Sequence, residues 1–362
     1  MKKEDAYCFN ENVRMFVDTK NEIRLRIGIW NYDEAVLNLH GLKEDLSNGI
    51  REIFARMIKG EAVTFNDIQS MNISNESAED ILQILNNLRA AGMVCLENDK
   101  LSKEQICYAL LGNLDLYTRN NSNNESKPLL FFTDSPYATE NAKELVERMD
   151  LKLNFMSEDL KDDISNSNLT KKINGLETEK NLERYAAIFK NYTGIIGCLR
   201  QPLINFLRNI NRIIVEIEMP MILSFIDGPF ISMIGVNPPN TGCFECFEQR
   251  SLARMEDHIG YNNFLNFSTF NHCNETKGII PLLNILTNLV LSEGFLLSTI
   301  GTSKFMGRAL NIHIPTLEIQ IQDILRVPFC PACGAIAKSV FEETNISTRV
   351  IIDDLISKAL GR

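Results

Sequence analysis

Cysteine carries the clearest chemical signal in this chain. It occurs in two pairs with two residues between the thiols, Cys243 and Cys246 in "TGCFECFEQR" and Cys330 and Cys333 in "PFCPACGAI". That spacing lets both sulfurs of a pair face one ion, about 3.5–4 Å apart around a tetrahedral zinc. Four thiolates fill the coordination sphere and leave no open position for a substrate, so such a centre would be structural. Between Cys246 and Cys330 lie 83 residues, far more than the roughly 15–20 of a local zinc ribbon, so the pairs can meet only through the fold. Two other readings stand beside a shared zinc. One is thiol–disulfide exchange, for which Pro331 inside the second pair is compatible. The other is two unconnected pieces of core without metal.

The remaining chemistry-bearing residues are scattered. Cys8, Cys95, Cys107, Cys198 and Cys273 stand singly, mostly in apolar runs, and read as packing. His40, His258, His272 and His313 form no paired metal spacing, and no Ser-His-Asp set can be picked out. His272 beside Cys273 in "FNHCNE" is a weak acid–base or nucleophile candidate.

Bulk properties narrow the classes. At 362 residues the chain has room for two or three domains, and 44% hydrophobic residues suit a sizeable core. A net charge of −10 argues against nucleic acid or an anionic membrane surface as the main partner. No apolar stretch follows "MKKEDAYCFNENVR", so no signal peptide is expected. The most apolar window, 278–301, contains Asn284, Asn288 and Glu293 and reads as a buried helix rather than a membrane span. Nine cysteines without a secretory signal suit a reducing, cytoplasmic setting.

The elements that must position these residues fall into two groups. "VRMFVDT" and "EIRLRIGI" read as a hairpin, and "DEAVLNL" (33–39) as a third β-rich run. Leu46, Ile50, Ile53, Phe54, Met57 and Ile58 recur at helical spacing, with Gly60 as a stop. A short helix is expected to start at Thr64, and another at Ser77 with Asp80 three residues on. "MVCLEND" reads as a wing strand, which completes the order of a winged helix-turn-helix over 1–116.

The polar run 117–128 marks the main boundary. Beyond it, "LLFFTD", a helix over 138–149 and "LKLNF" give a β-α-β order, hence a parallel sheet with helices on its faces. The polar region 157–180 reads as solvated helix or loop. "TGIIGCL" is a buried strand, and 202–218 a helix with Pro202 in its first turn. Asp227-Gly228 signals a hairpin between two apolar strands. "RALNIHI" and "LEIQIQDI" alternate as half-buried antiparallel strands do and lead into the second thiol pair.

The stretch "MPMILSFIDGPFISMIGVNPPNTGCFECF", with the closing "VPFCPACG", resembles the E1-like superfamily of adenylating proteins over roughly 128–340. The fold this implies is α/β: a Rossmann-type E1-like domain over 127–340, with 341–362 as a docking segment or terminal helix. The resemblance assigns a structural zinc to Cys243, Cys246, Cys330 and Cys333. The family's nucleotide apparatus does not carry over. A Gly-rich loop that brings backbone amides to the ATP phosphates would fall on "TDSPYATEN", which contains no glycine. The Asp expected near ATP and magnesium would fall where Leu199, Arg200 and Gln201 stand. ATP is therefore not expected on this chain.

One branch is similar in both respects: the E1-like "C" component of azoline-forming cyclodehydratases of the streptolysin S type, which "IRLRIGIWNYDEAVLNL" particularly resembles. That resemblance implies a non-catalytic subunit, a homodimer within a larger complex, active in bacteriocin or cytolysin maturation. It would bind the leader of a precursor peptide and deliver its core to a YcaO-type partner, which closes Cys, Ser or Thr into rings; a flavin-dependent azoline dehydrogenase is a further implied partner. An extended leader can add a strand to a sheet edge. Here the edge would be Asp33, Glu34, Ala35, Val36, Leu37, Asn38 and Leu39, and the helical wall would offer Gln83, Asn86, Asn87 and Arg89. DNA binding is disfavoured, since Glu79 and Asp80 on that helix oppose the single Arg89. Alternatives are a stand-alone E1-like adenylating enzyme acting on a peptide, and an E1-like leader-binding protein of a thiopeptide-type pathway.

Overall fold

Alternation of apolar and charged residues builds the first sheet, an antiparallel meander of β2 (Val13–Thr19), β3 (Glu22–Ile27) and β4 (Asp33–Asn38) in that order. On β3, Ile23 and Leu25 point into the core, while Arg24 and Arg26 take the other face and bond Glu34 of β4. A second sheet sets β1 (Ala6–Phe9) between β5 (Val63–Thr64) and β6 (Val94–Leu96). The helices α1 (Glu44–Ile58), α2 (Phe65–Ser70) and α3 (Asn75–Ala90) pack with these sheets, and the described residues 106–107 and 110–111 are helical too. The apolar stripe of α1 is the expected one, with Leu46, Ile50, Ile53, Phe54 and Met57 buried against Tyr7, Leu25, Ile81 and Leu85.

The computed structural model describes residues 5–97 apart from 11, 20, 31 and 72, then 106–107, 110–111, 127–170, 175–267 and 277–334. The expected docking segment 341–362 and the pair His272 and Cys273 lie outside the described residues. The chain divides into two units, Met1–Ser122 and Asn123–Arg362.

Two local expectations for the first unit have different outcomes. Thr64 caps α2 as expected, with Asp67 completing a reciprocal capping box. Helix α3, however, begins a turn before Ser77: Ser74 is the cap, accepting the Ser77 amide. Ser77 is buried inside the first turn and donates its hydroxyl to Asp45. The reason is that Asp45 also accepts the Ser74 amide, so the helix start is fixed by a residue 29 positions away and not by local spacing.

The second unit is built on a seven-stranded sheet in the order β13-β12-β11-β10-β9-β7-β8. Strands β7 (Leu129–Thr133), β8 (Leu153–Phe155), β9 (Ile195–Leu199) and β10 (Met221–Asp227) are parallel. Every residue of β7 and β9 is buried, as a parallel strand covered on both faces requires. Strand β10 turns through Gly228, at φ 56°, into antiparallel β11 (Phe230–Val236). The hairpin β12 (Arg308–His313) and β13 (Glu318–Asp323) follows. The alternation in "LEIQIQDI" reads as half-buried, yet all six residues of β13 are exposed, since among the described residues neither face of this last strand is covered.

Helices α4 (Pro136–Met149), α5 (Glu158–Asn166), α6 (Gly175–Phe189), α7 (Ile204–Ile217), α8 (Phe244–Leu252), α9 (His258–Phe267) and α10 (Ile280–Ile300) accompany the sheet. Pro202 precedes α7 rather than sitting in its first turn, since Leu203 is the N-cap. Helix α10 is long and apolar enough to cross a membrane by length and composition, with a mean hydropathy of 1.6. It packs on α4, β9 and β10. Its Glu293 is buried, accepting from Ser303 and the Lys304 amide and pairing with the Lys304 ammonium.

Candidate functional site

The hairpin β10–β11 delivers the chain to Cys243, which is the N-cap of α8; Cys246 lies in the first turn of that helix. A helix start presents residues three apart on one side, so both sulfurs turn the same way. The second pair approaches from the segment after β13. There Gly334 donates its amide to the Cys330 carbonyl, and a Cβ at Gly334 would lie 2.6 Å from that oxygen, so the turn needs glycine. The four sulfurs meet: Cys243 Sγ is 3.8 Å from Cys246 Sγ and 3.6 Å from Cys330 Sγ, and Cys246 Sγ is 3.4 Å from Cys333 Sγ. All lie within 4.8 Å of one another and all four residues are buried. A tetrahedron with metal–sulfur bonds of about 2.3 Å has edges of about 3.8 Å, so the set fits zinc in number, type and spacing.

Electrostatics point the same way. The crowded thiols share protons unequally. Hydrogen bonding from Cys243 lowers Cys246, and lowers Cys333 to about 7, while Cys243 is raised by its bond to Cys246. Four buried sulfurs cannot all ionise side by side without a cation among them.

A polar frame surrounds the cluster. Asn211 of α7, fully buried, donates to Cys243 Sγ at 3.5 Å and to Glu245 Oε1 at 3.1 Å, and accepts the Phe244 amide. The Val327 amide donates to Cys246 Sγ at 3.4 Å. Arg212 holds Glu245 with two bonds, of 2.7 and 2.8 Å, and donates to the Pro331 carbonyl inside the second pair. One turn further on, Arg208 holds Glu248 in the same bidentate way, and Tyr261 of α9 adds a third bond. Burial raises the Glu245 carboxyl above the usual range, and Arg212 opposes that effect. Helix α7 is thus clamped to both thiol pairs.

The sheet reverses its winding between β7 and β9, where open α/β sheets take ligands at the carboxyl ends of their strands. In this chain charged residues meet at those strand ends. Asp134, after β7, accepts the Arg200 amide at 2.8 Å and lies 3.6 Å from the Arg200 guanidinium. Lys161 donates to the Thr133 carbonyl alongside. Burial raises the Asp134 carboxyl, with the Arg200 amide and charge opposing.

In the first unit β4 is an edge strand, paired among the described residues with β3 alone. The Leu39 amide bonds back to the Asn21 carbonyl. Antiparallel alternation then turns the main-chain groups of Leu37, Ala35 and Asp33 toward β3, and those of Glu34, Val36 and Asn38 toward the open side. Of the seven expected edge residues, Asp33, Val36 and Asn38 are exposed, Glu34, Ala35 and Leu37 half-buried, and Leu39 buried. The Glu34 carboxylate is held well below its ordinary range, first by the Arg26 hydrogen bond. Of the expected wall residues, Gln83 and Asn87 are exposed, while Asn86 and Arg89 are half-buried. Asn86 accepts the Tyr7 hydroxyl at 3.1 Å, and the described packing of α3 is on α1, α2 and β6.

No protein-family model matches the chain, and no curated protein matches it. Solved structures do. The chain matches the heterocyclase TruD at 15% identity and a TM-score of 0.58, over 91% of its own length and 43% of that chain. A heterocyclase in complex with substrate and cofactor matches at 12% identity and a TM-score of 0.57, over 91% and 40%. E. coli MccB with ATP matches at 14% identity over 91% of this chain and 99% of that one, with a TM-score of 0.48. This chain has a heterocyclase-related fold. It spans about two fifths of the heterocyclase chains it matches.

Several residues of these sites escape sequence reading. Asn211, Arg212, Glu245 and Glu248 lie among ordinary helical residues, and the one signal is polar side chains inside the apolar "INFLRNINRIIVEI". The thiol spacing itself marks the metal set.

Proposed function

We propose that this chain is a non-catalytic, zinc-stapled scaffold subunit of a peptide azoline synthetase. In this reading its first unit is a winged-helix domain that binds the leader of a ribosomal precursor peptide. A YcaO-type partner then supplies the ATP-dependent ring closure, taking the place of the unmatched remainder of the longer heterocyclase chains. A homodimer within a larger complex, with a flavin-dependent dehydrogenase as a further partner, belongs to the same reading, as does the docking role of 341–362.

The observation that carries it is the open side of β4, where Glu34, Val36 and Asn38 present main-chain donors and acceptors at regular spacing. An extended peptide gains its affinity from such groups and its specificity from alternate side chains. Two further observations support it. The Asp134–Arg200 pair spans the strand ends at the place where open α/β sheets take their ligands. The four-cysteine set suits a metal that holds the fold together, with Cys243, Cys246, Cys330 and Cys333 as the residues that would hold it. When bound, the zinc supplies charge compensation and cross-linking; the chain's own Asn211 and Arg212 orient the segments that carry the sulfurs.

Titration of the purified chain with fluorescently labelled leader peptide, with and without the YcaO-type partner, tests the reading. Saturable binding by the chain alone, and ring formation only with the partner and ATP, is the expected result. Absence of leader binding in both settings overturns it, and ATP–pyrophosphate exchange by the chain alone replaces it with an adenylating enzyme.

A further inference from the structure

The first unit brings two more thiols together. Cys8 of β1 and Cys95 of β6 are direct partners in the antiparallel register. They are 87 residues apart in sequence, yet their Sγ atoms lie 3.4 Å apart. Register partners on antiparallel strands have Cα atoms about 4.5–5.5 Å apart, within the about 4.4–6.8 Å that a disulfide bridges. The two thiols are thus placed within reach of a bond. Both are buried, at 3% and 7% exposure. Among the described residues the metal-ligand group is the four-cysteine set of the second unit, and no third such ligand there joins Cys8 and Cys95.

We propose that Cys8 and Cys95 are a thiol–disulfide couple, open in the reduced chain and closed by a small hydroperoxide such as hydrogen peroxide. The thiolate of one cysteine attacks a peroxide oxygen; the S–O bond forms as the O–O bond breaks, and hydroxide leaves and takes up a proton. The second thiol sulfur then attacks the sulfenic acid. The S–S bond forms, the S–O bond breaks, and water leaves with the thiol proton. Two thiols lose two electrons and one hydrogen peroxide becomes two waters.

The consequence follows from the place of β1. It is the middle strand of its sheet, only four residues long, and it carries Tyr7, whose hydroxyl reaches Asn86 on α3. A covalent tie to β6 removes freedom from the unfolded chain across a long loop and holds this strand in place. The couple stands independently of the leader-binding reading.

The test uses the full-length chain, fully reduced and then treated with one equivalent of hydrogen peroxide. Free thiols are alkylated, and peptides are mapped without reduction. A Cys8–Cys95 linked peptide lacking two hydrogens, reopened by dithiothreitol, is expected. The melting midpoint of the first unit should rise by about 5 °C or more. Cys8→Ala and Cys95→Ala should each abolish both effects and leave the remaining thiol to over-oxidise. Sulfinic acid on either residue of the native chain without the linked peptide overturns the couple, as does linkage of Cys8 to any other cysteine. Should either alanine variant fail to fold, the map of the native chain still decides.

Discussion

Arg200 gives Asp134 both its backbone amide, at 2.8 Å, and its guanidinium, at 3.6 Å, across the ends of β9 and β7. This ion pair lies at the point at which the sheet reverses its winding, with Lys161 alongside. The pairing is incomplete compensation: burial dominates and the Asp134 carboxyl holds its proton more tightly than an exposed one.

A pH dependence follows, with a definite sign. A carboxyl whose folded value is raised binds more protons in the folded than in the unfolded chain, so its contribution to stability falls as pH rises. The loss begins near the unfolded value of about 3.9 and is complete above the raised folded one. Asp134→Asn cannot ionise. The stability of the native chain relative to this variant should therefore decline as pH rises from about 3.9, the unfolded value, through the raised folded one. Urea unfolding of both proteins across that range reads it; a difference that grows with pH contradicts the dominance of burial.

The Arg212–Glu245 pair should behave as a unit. Glu245 is buried, so Arg212→Met strands a carboxylate and should cost about 3–5 kcal/mol. Removing both charges with Glu245→Gln added should restore part of that loss. The check is a double-mutant cycle by chemical denaturation. Purely additive losses would mean that the two side chains act separately.

Metal content offers a direct check on the four-cysteine set. Plasma emission should find one zinc per chain, and Cys246→Ser should lose it, whereas Cys198→Ser, whose sulfur faces Thr287 and not the cluster, should keep it. Chelation should lower the melting midpoint of the second unit, because metal binding is part of its folding free energy. Zinc retained by the Cys246→Ser protein would remove that residue from the ligand set.

Gly197 in β9 sits against the ring of Phe132, and a Cβ there would lie 2.3–2.8 Å from three ring carbons. Phe132 is itself held edge-on by Phe206, with centroids 5.3 Å apart, so it cannot easily yield. Gly197→Ala should destabilise the second unit by about 1–3 kcal/mol through overpacking. Thermal unfolding checks it, and an unchanged midpoint would mean that the ring moves freely.

How much of this is legible in the sequence depends on how local the cause is. The two-residue thiol spacing, the Asp227-Gly228 turn and the Thr64 cap are set by residues within a few positions, and each is where the sequence places it. The start of α3 depends on Asp45, far away in sequence, and local spacing puts it a turn late. Strand β1 is too short to show a period. Strand β13 alternates like a half-buried strand, but periodicity does not report whether anything covers either face. In sequence Arg200 is one more residue after a buried strand, and only the fold reveals that it turns onto Asp134.

The leader-binding edge proposed at β4 can be tested by choosing which side of the strand loses a donor. The Val36 amide faces the open side, while the Leu37 amide belongs to the ladder with β3. Proline removes the amide hydrogen and is tolerated on the free side of an edge strand. Val36→Pro should keep the fold and weaken leader binding about tenfold, the scale of one lost hydrogen bond. Leu37→Pro should instead lower the melting midpoint of the first unit, since it breaks a bond the sheet already makes. Fluorescence anisotropy with labelled leader and circular dichroism separate the two effects. If Val36→Pro binds the leader with native affinity, the peptide does not extend the sheet at β4, and the wall residues Gln83 and Asn87 on α3 become the place to look.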